Sequence, residues 1–156
     1  MPSRRAASDT LSEQSASTRW MYSHSARASE GVSANQLRTS SLTMLEQVYR
    51  EAPVGPLPST LFRGQVLQRI DTAFARCAWF FVHPRLQAGH FRISQGRSRW
   101  RETQTLQLHY DVSRLPFRGV LYDEVKPLSA TLALGLGGLN RDVGIGDLFF
   151  FLLQTG

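Results

Sequence analysis

Hydrophobic and polar residues alternate most strictly between residues 103 and 112. Leu106, Leu108, Tyr110 and Val112 take one parity; Thr105, Gln107, His109 and Asp111 take the other. A period of two predicts a strand with one buried and one polar face. Shorter runs with strand character cover residues 62–70, 78–82, 89–93, 118–126, 131–139 and 147–154. Turn signals separate several of them: Pro116, Pro127-Leu128-Ser129 and Gly144-Ile145-Gly146-Asp147. Strands about ten residues apart, with no helical pattern between them, indicate a sandwich or barrel rather than βαβ units. The last run, Leu148 to Leu153, is apolar on both faces. As an open edge it would invite aggregation, so it is expected to pair back to the first strand and close a barrel.

Ahead of the strands the period changes. Leu45, Val48, Tyr49 and Ala52 recur at helical spacing, and Thr43 with Glu46 has the spacing of a capping box. Pro53 ends the helix, and residues 53–58, with three prolines, form an extended connector. Residues 1–41 are broken up by serines and carry too little apolar surface to offset the entropy of ordering. The expected organisation is a disordered Ser/Arg-rich segment over 1–41, a short helix and connector over 42–58, and a single small antiparallel β-barrel over 59–156. Met44 opens the first segment with clear periodicity, so a start at Met44 is an alternative reading of what precedes it.

Composition narrows the function classes. The net charge is +6, but of the 18 basic residues only Lys126 is a lysine. That skew points to genome composition more than to selection for phosphate binding. The densest basic group is Arg97, Arg99 and Arg101 around Trp100. Through Arg97, Trp100 and Arg101 it offers a nucleic-acid surface, a reading ranked third. Cys77 is the single cysteine, so no internal disulfide can form and a reducing, cytoplasmic setting is expected. No apolar run approaches the ~20 residues of a membrane span. No cofactor is expected, and no ligand spacing for a metal connects His83, His90 and His109.

Three segments carry a family resemblance: Leu108-His109-Tyr110-Asp111-Val112, Tyr122-Asp123-Glu124-Val125-Lys126 and Leu134-Gly135-Leu136-Gly137-Gly138-Leu139-Asn140. With Arg63-Gly64 near the first strand, they make residues 55–153 resemble a group of uncharacterised bacterial proteins that look like small calycin-type, lipocalin-like β-barrels. The resemblance implies a barrel and no particular activity. The chain is shorter than that group between Asp71 and Trp79, which bears on closure of the barrel.

The candidate chemistry follows from strand parity. His109 and Asp111, two apart, are expected to project to one side, about 7 Å apart by strand rise. They are the catalytic candidates for an enzyme of unassigned class, isomerase- or hydrolase-like. The preferred reading is a non-enzymatic binding module whose barrel interior takes a small apolar or amphipathic molecule, such as a lipid. Trp79, Phe81, Tyr110, Phe149 and Phe151 are the candidate wall residues, and Arg63, His109 and Asp111 the polar contacts. They cannot all face inward, since Tyr110 points opposite to His109 and Asp111; the His109 face lines the cavity if the large apolar side chains of the best strand pack outward against the helix. Asp123 and Glu124, being adjacent, are expected to point to opposite faces, one of them paired with Arg63 or Arg118. The glycine-rich stretch at 135–140 matches no phosphate-loop spacing and is expected to mark a bulge or a close backbone approach.

Overall fold

A computed structural model describes residues 31–57, 62–71, 91–113 and 118–155. Two helices, α1 (Ala34–Thr39) and α2 (Leu42–Glu51), precede six strands: β1 (Arg63–Arg69), β2 (Arg92–Arg97), β3 (Gln104–His109), β4 (Leu121–Pro127), β5 (Leu132–Leu139) and β6 (Asp147–Gln154). The strands form one antiparallel sheet in the order β1-β6-β5-β4-β3-β2. The doubly apolar β6 is interior to this sheet and pairs with β1 on one side and β5 on the other. The fold is therefore mostly β, as the alternation predicts. Among the described residues β1 and β2 are the sheet's two edges, so the sheet is not closed into a barrel. The strand expected at 78–82 lies outside the described residues.

The N-terminal segment differs from expectation. Part of the stretch read as unfolded is helix α1, started by a capping box: the Ser33 hydroxyl accepts from the Gln36 N–H, and the Gln36 side chain accepts from the Ser33 N–H. Leu37 is fully buried. The cap of α2 also shifts by two residues. Ser41, not Thr43, accepts the Met44 N–H at 3.3 Å, which leaves Glu46 free for another partner.

Both faces of the sheet bury apolar side chains, and differently. On one face α1 and α2 lay Leu37, Leu45, Tyr49 and Ala52 over Leu134 and Leu136 of β5 and Phe150 and Leu152 of β6. The expected stripe is thus the buried one, with Val48 at its margin. The other face gathers Leu106, Leu108, Tyr110, Val125, Ala133, Phe151 and Leu153. The helices pack on the face that carries Thr105, Gln107 and His109, not on the Leu106–Leu108 face. The physical reason is that most of the large apolar residues under the helices come from β5 and β6, while β3 and β4 contribute a polar network there.

Two glycines of β5 permit close approaches, one on this second face and one to a neighbouring backbone. Gly135 stands opposite Phe151, and a Cβ at Gly135 would lie 2.2 Å from the ring. Without a side chain there, the ring settles directly on the strand. At Gly138, beside a register shift, the Gly146 carbonyl approaches so closely that a Cβ would sit 1.8 Å from its oxygen. The glycine-rich stretch thus forms a central strand with a bulge and a close approach, as expected.

Candidate functional site

Strand alternation puts Glu124 and Asp123 on opposite faces, as predicted, but neither pairs with Arg63 or Arg118. Glu124 is fully buried beneath the helices. Its carboxylate accepts from the Ser98 hydroxyl, the Arg99 N–H at 2.6 Å, the Tyr122 hydroxyl at 3.1 Å and the Tyr49 hydroxyl at 3.2 Å. Four donors satisfy the lone pairs of a carboxylate, which makes its burial tolerable. Burial, and then the charge of Glu124, raises the Tyr49 phenol well above its usual range. Lys126, on the same face, caps α2: its ammonium donates to the Ala52 carbonyl at 2.8 Å, the Arg50 carbonyl at 3.3 Å and Thr103 Oγ1 at 2.7 Å. Burial lowers the Lys126 ammonium to about 8, although Glu124 works in the opposite direction.

The basic group of the sequence divides into structural and outward-facing members. Arg101 binds Glu46 of α2 and Asp147 of β6, and its side chain is only 8 % exposed. Burial works against its charge, but bonding to Glu46 and Asp147 outweighs this and raises its pKa. Trp100 is 4 % exposed, donates from its indole to the Arg141 carbonyl at 2.8 Å and meets Tyr122 edge to face. The nucleic-acid reading through Arg97, Trp100 and Arg101 therefore loses two of its three residues to the core, leaving only Arg97 exposed.

The structure also separates the proposed His109–Asp111 pair. β3 ends at His109, and Tyr110–Val112 form a 3-10 turn. Once the strand stops, spacing two apart no longer places side chains on one face. His109 Nε2 bonds the Ser94 hydroxyl at 2.7 Å, whereas Asp111 is exposed and bridges to Arg92 at 3.3 Å. Arg63 is exposed at the start of β1, opposite Gln154. Trp79 and Phe81 lie outside the described residues. Of the expected ligand contacts, Tyr110, Phe149 and Phe151 do share one face.

That second face carries a polar pair that parity alone did not single out. The Tyr110 hydroxyl donates to one Asp123 oxygen, and the Gly138 N–H donates to the other at 3.2 Å. Phe91 meets Tyr110 edge to face at 6.0 Å, and Phe149 lies beside Phe151 at the same distance. Desolvation pushes the Asp123 carboxyl up to about 6, despite the two hydrogen bonds that pull it down. Burial, and then Asp123, raises the Tyr110 phenol. Asp123 itself keeps partial exposure, and Val54, Leu57, Phe62, Phe91, Leu121 and Phe149 around this cluster are only partly buried. The sequence signal was available: Asp123 shares the parity of Leu121 and Val125 in β4, a carboxyl placed on an apolar face.

Among the described residues no three metal-ligating side chains gather, and no helix is long and apolar enough to cross a membrane. No family model and no curated protein matches the chain. Among solved structures, a protein from Thermomonospora curvata is similar at 16% identity, over 75% of this chain and 88% of that one, with a TM-score of 0.47.

Proposed function

We propose that the protein is a non-enzymatic binding module for a small apolar or amphipathic molecule, held against the Leu106–Leu108–Phe151 face of the sheet. The Tyr110–Asp123 pair would meet the ligand's polar end. The carrying observation is this polar pair set among the apolar side chains of that face, several of them partly exposed. Ligand sites commonly combine an apolar lining with a few placed polar groups. In this reading the six strands are the wall of a small calycin-like barrel.

A hydroxyl-bearing chain suits the pair, because the Asp123 carboxylate can accept its proton and the Tyr110 oxygen, whose own proton goes to Asp123, can accept as well. Thermal denaturation with increasing decanol tests the reading. The midpoint should rise with ligand concentration, since binding to the folded state alone stabilises it. Decane, which has no head group, should stabilise less at equal concentration. An unchanged midpoint up to the solubility limit of decanol would sink the proposal.

A further inference from the structure

The exposed apolar surface is concentrated at one end of the sheet. There Arg92, His109, Tyr122, Gly138 and Asp147 lie side by side in one row across β2, β3, β4, β5 and β6. Among the described residues the exposed large apolar side chains are Met44, Ile93, Val112, Val120, Val143 and Ile145. Val112, Val120, Val143 and Ile145 all belong to the turns beyond this row, and Ile93 is the second residue of β2. Exposed aliphatic side chains scattered singly are ordinary, whereas a concentration of them in neighbouring turns marks a contact surface.

The β5–β6 turn holds two of these side chains outward. The Asp142 carbonyl accepts from the Ile145 N–H at 3.2 Å and the Gly146 N–H at 2.8 Å. Gly144, at φ 80°, makes the reversal, and its N–H donates to Asp147 Oδ1 at 2.6 Å. Asp147 is itself held by Arg101. Val143 and Ile145 thus stand on a turn fixed from beneath, so burying them costs little further ordering. The Asn140 N–H donates to the Val120 carbonyl at 2.8 Å, which sets Val120 beside the same turn.

Arginines alternate with these aliphatic residues along the rim. Arg118 precedes Val120, Arg141 precedes Val143, and Arg99 lies over the Tyr122 ring in the concavity that Asn140 borders. All three arginines are exposed, and no described carboxylate forms an ion pair with them. The acids of this end are Asp142, exposed in the turn, Asp111, which bridges to Arg92, and Asp71, whose charge Arg69 offsets. Positive charge is therefore in excess here, as it is over the whole chain at +6. Such a field draws a protein towards anionic surfaces.

We infer that this rim docks on an anionic lipid bilayer. Val112, Val120, Val143 and Ile145 enter the boundary between headgroups and acyl chains, and Arg99, Arg118 and Arg141 meet the lipid phosphates. The interleaving favours a bilayer over a second copy of the chain. The core of a protein interface is depleted of charge, whereas an arginine beside a membrane-inserted aliphatic residue keeps its head among the phosphates. Docking of this kind is interfacial and needs no spanning segment. It does not rest on the apolar-ligand reading, because a bilayer can hold the rim whether or not the second face is occupied.

Co-sedimentation of the full chain with phosphatidylcholine vesicles, with and without about one-third phosphatidylglycerol, tests it. Binding is expected to the anionic vesicles, to be much weaker on phosphatidylcholine alone, and to fall steeply in about 0.5 M salt. Val143→Ser/Ile145→Ser should weaken it at least about tenfold, the scale of two aliphatic side chains left in water. Arg118→Gln/Arg141→Gln should weaken it about tenfold on anionic vesicles. Met44→Ser, an exposed apolar position on α2, should leave it unchanged. The substituted side chains are exposed, so the circular dichroism spectra should match the wild type; for a double variant whose spectrum does not, Val143→Ser or Arg141→Gln alone supplies the comparison. No binding to anionic vesicles, equal binding to both vesicle types, or wild-type binding by the rim variants would each overturn the assignment. So would a dimer in vesicle-free solution that the Val143→Ser/Ile145→Ser variant dissociates, since the rim would then belong to a second copy.

Discussion

Two adjacent carboxyls in β4 meet opposite fates, and their donors decide which. Glu124 has four donors and anchors α2, the β2–β3 connection and β4 together. Asp123 has two, on a largely apolar face, and its pKa lies near 6 instead of 3.8. An acid with a raised folded pKa holds its proton more tightly in the folded state. Its contribution to stability is present in full below about 4 and is lost as pH rises through about 6. Asp123→Asn keeps an acceptor for Gly138 and removes the titration. Urea denaturation at pH 4 and pH 7 should show the wild type losing about 2 kcal/mol relative to Asp123→Asn, the shift discounted for partial exposure. An equal difference at both pH values would contradict this. At this scale the sequence was partly legible. The opposite orientation of the two acids follows from strand parity, whereas their partners come from Ser98, Tyr49 and Tyr110, which only the fold brings near.

At the scale of elements, strand boundaries were readable where alternation is strict or apolar character continuous. β6 falls on 147–154, as read, and β1 and β5 differ from the reading by a residue at one or both ends. The turn at Tyr110–Val112 escaped because the alternation runs on past the point where pairing with β2 and β4 stops. Helix α1 is hidden in the sequence because serines dilute its apolar residues, although Ser33 and Gln36 have the spacing of a capping box. Face assignment failed for a related reason. Side-chain polarity in β3 gave the Thr105–His109 face to the cavity and the Leu106–Leu108 face to the helix, but Thr105 is buried under α2, bonded to Tyr49. The glycines of β5 give an element-scale prediction. Gly135→Ala puts a methyl group into the Phe151 ring, which is itself buried and has little room to move. Overpacking of this kind costs about 1–3 kcal/mol. Chemical denaturation should register that loss, and a variant as stable as the wild type would mean that the ring does not rest on the strand.

For the molecule as a whole, one sheet separates two differently built faces. Beneath the helices, Glu124, Lys126 and Arg101 tie α2 to the strands through fully partnered polar groups. Across the sheet lie Leu106, Leu108, Phe151 and Leu153 with the Tyr110–Asp123 pair. The central claim is that the second face, not the first, receives an apolar ligand. Leucine methyl groups report on the faces separately: Leu106, Leu108 and Leu153 belong to the second, and Leu134, Leu136 and Leu152 to the first. The most direct measurement is a methyl NMR titration of the protein with decanol. The account predicts saturable shifts concentrated at Leu106, Leu108 and Leu153. Absence of saturable shifts, or shifts confined to Leu134, Leu136 and Leu152, would contradict it.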